Sequence, residues 1–139
     1  MVQLPTPTEE LFHPLLEEKK IKLYVKRDDL IHSEIMGNKW RKLKYNLQAI
    51  EESGKKGLVT MGGAYSNHIV ATAAAAKLAG IEAIGIIRGE ELSESSNPSL
   101  QFAANQGMKF KFVDRSTYRS LRTDLNLIAS QYPDYYFLP

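Results

Sequence analysis

No cysteine occurs among the 139 residues, which excludes a disulfide framework, a thiolate metal site and a cysteine nucleophile. Long apolar runs are also missing: none approaches the ~18 residues that a membrane-spanning helix needs. Residues Met1 to Glu10 lack the basic start and apolar stretch of a secretory leader. Charge of one sign is scarce, with 18 basic against 16 acidic side chains. The densest basic run, Lys39, Arg41, Lys42 and Lys44, is followed at once by Glu51 and Glu52. Only Trp40 and Tyr45 interleave it with aromatics, so the footprint of a nucleic-acid protein is not there. His13, His32 and His68 form no i, i+4 pair and have no acidic partner at ligand spacing, so no metal site is expected. A G-x-S-x-G nucleophile elbow is absent too. What is present, 43% hydrophobic and 24% charged residues, suits a globular chain with a real core. The expectation is a soluble, cytoplasmic domain that binds neither nucleic acid nor membrane.

The periodicity changes along the chain. After a lead-in, Leu4-Pro5-Thr6-Pro7-Thr8, comes a short amphipathic stretch around Leu11, Leu15 and Leu16. Ile21, Leu23 and Val25 alternate with Lys22, Tyr24 and Lys26, the period of a half-buried strand. From Lys39 the stripe Trp40, Leu43, Leu47 and Ile50 is helical, with Trp40 read as core and Gly54 as a left-handed cap. An α/β alternation follows. Strands are predicted over Gly57–Met61, Ile81–Ile87, Met108–Val113 and Tyr135–Leu138. Helices are predicted over Asn67–Leu78, from Asn97-Pro98 to Gly107, and from a Ser116 cap through Tyr118, Leu121, Leu125 and Ile128. Such spacing implies repeated βαβ units, parallel strands and right-handed crossovers: an open parallel sheet in a three-layer αβα sandwich.

Ligands of parallel sheets bind at the carboxyl ends of strands. The best such loop is Met61-Gly62-Gly63-Ala64-Tyr65-Ser66-Asn67-His68, where two glycines admit a close backbone approach. Ser66 and Asn67 stand where a helix N-terminus offers free N–H groups to an anion; Ser and Asn are also ordinary helix caps. The loop has neither a Walker lysine nor G-x-G-x-x-G, so nucleotide phosphates are not its obvious target. The second feature is Gly37-Asn38-Lys39-Trp40-Arg41-Lys42-Leu43. A lysine at a helix start opposes the helix dipole, and a residue that breaks a local rule is a functional suspect. Such a setting is expected to lower the pKa of Lys39, which a covalent-catalysis lysine needs. An exposed lysine on a basic helix face is the plainer alternative.

The two segments together resemble the fold-type II pyridoxal-phosphate enzymes, in particular the D-cysteine desulfhydrase and 1-aminocyclopropane-1-carboxylate deaminase family. Asn38-Lys39-Trp40-Arg41-Lys42-Leu43 is similar to its G-N-K-x-R-K-L segment. Gly62-Gly63-Ala64-Tyr65-Ser66-Asn67-His68 with Ala71-Thr72-Ala73-Ala74-Ala75-Ala76 is similar to its G-G-x-x-S-N-H…A-T-A-A-A loop and helix. Lys26-Arg27-Asp28-Asp29-Leu30 resembles its K-R-D-D-L element. The resemblance implies a tryptophan-synthase-β-like fold and pyridoxal 5'-phosphate as cofactor. By it, Lys39 would hold the cofactor covalently and move the proton at the substrate Cα. Asn38 would seat the cofactor, Lys42 would reach toward its phosphate, and Asn67 would bond the ring hydroxyl. Ser66, as a second catalytic residue, would hold the carboxylate of a small amino-acid substrate with Asn67 and His68. His68 in place of the Gln more usual in the deaminases favours D-cysteine, split to pyruvate, hydrogen sulfide and ammonia.

The same resemblance implies two domains, with residues 1–52 an N-terminal segment of the larger, cofactor-binding one and residues 53–139 the small α/β domain. Family chains are about twice this length and usually homodimeric, so the expectation is a chain that stops short of the phosphate-binding loop. A cofactor-free α/β binding module and an inactive remnant are the competing readings.

Overall fold

In the computed structural model, residues 4–35 and 37–139 are described. The chain opens with an antiparallel hairpin of β1 (Thr8–Leu11) and β2 (Leu23–Lys26), between which lies the short helix α1 (Pro14–Glu18). A 3-10 turn over Asp28–Leu30 leads towards the long helix α2 (Asn38–Ser53), which closes on Gly54 in the left-handed conformation. From there the order is β3 (Gly57–Gly63), α3 (Asn67–Ala79), β4 (Glu82–Arg88), α4 (Pro98–Asn105), β5 (Lys109–Val113), α5 (Arg115–Thr123), α6 (Leu125–Gln131) and β6 (Tyr135–Leu138). The expected alternation is present.

The four later strands form one parallel sheet in the order β5-β4-β3-β6. Alternate side chains of each strand face opposite layers. Leu58, Ala83, Ile87 and Leu138 pack with Leu43 and Ile50 of α2, the alanines of α3, and Leu100 and Ala103 of α4. Val59, Ile86 and Val113 face the other way, against Leu121 of α5 and Ile128 of α6. This is a three-layer αβα sandwich. Six consecutive buried residues, Ala71 to Ala76, bring α3 close against sheet and neighbouring helices, because small side chains permit close approach of backbones. Residue 52, where the sequence suggests a domain division, lies in the last turn of α2, a helix that shares the sheet's core.

Three local expectations need correction. The last helix is two helices: Asp124 is in an extended conformation and caps α6 through its side chain. Asp114, not Ser116, caps α5, since its carboxylate accepts from the N–H groups of Ser116 and Thr117 at 2.7 and 2.9 Å. Ile21 and Leu23, read as the inward face of a half-buried strand, are 56% and 45% exposed, and only Val25 is partly covered. A two-stranded hairpin has no second layer of its own to bury that face. No helix among the described residues is long and apolar enough to cross a membrane.

Chain order and strand order part company at β3. Two crossovers carry the chain from β3 to β4 and β5 on one side, and the next returns it to β6 on the other. The carboxyl ends of β3 and β6 therefore flank a topological switch point, where open α/β sheets form their crevice.

Candidate active site at the ends of two helices

The loop leaving β3 enters α3 through Ser66, whose Oγ accepts from the N–H of Ile69 at 3.4 Å. Ser66 thus serves as the cap that its residue type favours. The first helical bond runs from the Val70 N–H to the Ser66 carbonyl. Backbone N–H groups of Asn67 and His68 are left without an acceptor among the described residues, which gives an anion two donors at the positive end of the helix. Gly62 makes this entry possible. A Cβ there would stand 2.5 Å from Ile69 Cγ1 and 3.2 Å from Ser66 Cβ, pushing the first turn of α3 off the sheet.

The start of α2 faces this loop. Its start carries Lys39 and Arg41, with Lys42 just beyond the first turn, no acidic residue lies in that turn, and Gly37 supplies no side-chain cap. Three cations therefore sit at the wrong end of the dipole. Arg41 is neutralised: its guanidinium donates through Nε and Nη2 to both oxygens of Asp28. Arg41 and then the Thr6 hydroxyl hold that carboxyl down at about 2. Arg27 forks onto Asp29 and also reaches Glu9 at 2.8 Å. The Lys26–Leu30 element thus ties the hairpin and the 3-10 turn to the first turn of α2. Asp28, which the sequence marked only as part of the Lys26–Leu30 element and without a role, is a positioning residue.

Lys39 is half-buried and forms no ion pair among the described residues. A cavity of about 180 Å³ brings it together with Asn38, Asn67, Glu34, Val70 and Ala71. Three residues expected at the cofactor, Asn38, Lys39 and Asn67, hence meet although 28 positions separate Lys39 from Asn67. Lys42 and Ser66 do not line that cavity. Glu34 does, and sequence reasoning missed it; the His32 Nδ1 accepts its N–H at 3.1 Å and fixes the turn that presents it.

His68 turns away from the cavity and into the sheet. The buried Thr60 hydroxyl has one proton, which it donates to the Leu138 carbonyl at 2.8 Å. It can then only accept from His68 Nε2, also at 2.8 Å. His68 is the Nε2–H tautomer, and its bond joins the first turn of α3 to the seam between β3 and β6. Burial first, then the charges of Lys39 and Lys42, push its pKa below the ordinary 6.5. Since the unfolded chain binds this proton more readily, stability is fully present above pH 6.5 and is lost as pH falls through and below that value. The His68→Asn variant should show a shallower loss of melting temperature between pH 7 and pH 5 than the parent. A parallel loss in both proteins would contradict the neutral assignment.

No family model matches the sequence. The chain is 45% identical over 75 residues to a putative 1-aminocyclopropane-1-carboxylate deaminase of Pyrococcus abyssi, covering 54% of this chain and 23% of that protein. It is 33% identical over 100 residues to the mitochondrial bifunctional D-cysteine desulfhydrase/1-aminocyclopropane-1-carboxylate deaminase of Arabidopsis thaliana, or 72% and 25% of the two lengths. A crystal structure of an ACC deaminase homologue superposes with a TM-score of 0.77 at 30% identity, over 99% of this chain and 42% of that one. The aligned part thus spans about a quarter of these curated relatives and under half of the solved chain. By sequence over most of its length and by fold over nearly all of it, the chain is a homologue of the D-cysteine desulfhydrase and 1-aminocyclopropane-1-carboxylate deaminase proteins.

Proposed function

We propose that this chain supplies the lysine wall and the carboxylate-binding helix end of a pyridoxal-phosphate-dependent enzyme that cleaves small amino acids. The observation that carries the reading is the meeting of Lys39, Asn38 and Asn67 around one cavity beside the N-terminus of α3. These groups suit the cofactor's pyridoxal end. Lys39 is an amine with no carboxylate partner among the described residues, two carboxamides flank it, and Ala71 leaves room in the wall. Bound there, pyridoxal phosphate would supply an electron sink for charge developing at the substrate Cα.

The chain's own residues divide the remaining work. Lys39 Nζ holds the cofactor covalently and carries a proton to or from Cα, a role that needs an amine free of ion pairing. The Asn67 carboxamide would hydrogen-bond the ring hydroxyl, and Asn38, at the start of α2, would help orient the ring. Lys42, a turn further along and close enough to influence His68, attracts the phosphate by charge. The substrate carboxylate takes the N–H groups of Asn67 and His68, with the Ser66 hydroxyl beside them. The His68 ring, bonded to Thr60, holds that turn in place.

Of the two substrates named among the relatives, D-cysteine is the one proposed, because His68 follows Asn67 in this chain. The test is sulfide release from D-cysteine against ammonia release from 1-aminocyclopropane-1-carboxylate, both with added pyridoxal phosphate. Sulfide release at the higher kcat/KM is expected. Preference for the cyclopropane substrate would overturn the choice of substrate. Turnover of neither, with no cofactor bound, would favour a cofactor-free binding module.

A further inference from the structure

Four of the chain's six arginines converge on one groove. Arg88 ends β4, Arg115 begins α5, and Arg119 and Arg122 follow on the same helix face. With Tyr118 and Thr123 they line a cavity of about 690 Å³. The two remaining arginines, Arg27 and Arg41, are each clamped on an aspartate. None of the six ion pairs among the described residues uses any of the four.

Nearby acids do not balance them. Asp114 is spent on the cap of α5: it accepts from the N–H groups and hydroxyls of Ser116 and Thr117, which holds its pKa far below the ordinary carboxylate range. Glu90 and Glu91 line the adjoining cavity on the other side of Arg88 and Arg115 and do not line the groove. The arrangement also costs the helix something. Like charges at i, i+4 and i, i+3 repel, and Arg115 opposes the dipole at the first position. Arg122, in the last turn of α5, suits the dipole, but four neighbouring guanidiniums without an ion pair among the described residues still point to a ligand.

The spacing narrows its chemistry. Arg115 and Arg122 are seven residues apart, two turns of α5 or roughly 10 Å along the axis at 1.5 Å per residue, and the groove of about 690 Å³ holds far more than one tetrahedral anion. A cavity of this size takes a small molecule rather than a duplex. Guanidinium forks match phosphoryl oxygens in pairs.

We propose that the groove of Arg88, Arg115, Arg119 and Arg122 is a binding site for a small ligand carrying a chain of phosphates, separate from the Lys39 cavity. Its source is either a bare polyphosphate or a nucleotide, in which case the base stacks on Tyr118. The test is calorimetric titration of the complete, cofactor-loaded protein with tripolyphosphate and with ATP at constant ionic strength. Saturable binding is expected, weakened at least about tenfold in the double variant Arg119→Gln/Arg122→Gln. Binding should be the same before and after loading with pyridoxal phosphate, which separates the groove from the cofactor site. The double variant should melt no lower than the parent, since it relieves repulsion. Tighter binding of ATP identifies a nucleotide, and equal or weaker binding a bare chain. The proposal is overturned by absence of saturable binding, by unchanged affinity in the double variant, or by equal weakening in Lys109→Gln/Lys111→Gln, which would mark non-specific attraction.

Discussion

Replacing Lys39 by alanine should leave a protein that folds normally, stays colourless with pyridoxal phosphate and turns over about three orders of magnitude more slowly. Folding should not suffer. Lys39 lies in the first turn of α2, has no ion-pair partner among the described residues and opposes the helix dipole. Its removal should be neutral or stabilising by up to about 1 kcal/mol. A variant that melts no lower than the parent yet lacks the visible band assigns the loss to chemistry rather than to structure. Lys42→Ala, one turn on, should keep the band and bind the cofactor more weakly. Retention of the full band and rate in Lys39→Ala would remove Lys39 from the proposed role.

The largest effect on stability is expected at Gly57, the first residue of β3. It pairs with Glu82 of β4 on one side and Tyr135 of β6 on the other. A Cβ at this position would overlap the Glu82 carbonyl oxygen and crowd its carbon at 2.7 Å. The obstacle is backbone inside a parallel ladder and cannot rotate away as a side chain could. Gly57→Ala should therefore cost more than about 4 kcal/mol, a large share of the ~5–15 kcal/mol that holds a domain together. Gly63→Ala, at the other end of β3, meets nothing within 4 Å and should change stability by less than about 0.5 kcal/mol. Chemical denaturation of the two variants side by side checks the contrast. Equal losses would contradict the close approach of β3 and β4.

The parallel sheet was legible because buried strands read as apolar runs and their helices as stripes with a cap and a glycine stop. Asn97 and Gly54 act as read. The break at Asp124 was not legible, since Tyr118, Leu121, Leu125 and Ile128 keep helical spacing across it. The hairpin face misled for a related reason: alternation shows which side could be buried, not whether anything covers it. At the site, Lys39, Asn38 and Asn67 stood out by motif, and the fold brings them together. Asp28 stood within a quoted motif but without a role, and Glu34 did not stand out, because their significance lies in partners that the chain supplies only after folding. His68 was read for its place in a loop, whereas its ring is held by Thr60, eight residues earlier and on the neighbouring strand. The arginine groove was half visible, in the helical spacing of positions 115, 119 and 122. Arg88 joins them only through the packing of β4 beside β5.

The claim on which the functional account rests is that Lys39, and no other lysine, binds the cofactor covalently. Borohydride reduction of the protein mixed with pyridoxal phosphate, followed by digestion and peptide mass mapping, tests it directly. One pyridoxyl adduct, on Lys39, is the predicted result. An adduct confined to Lys42 or Lys44, or scattered over the twelve lysines without preference, would contradict it.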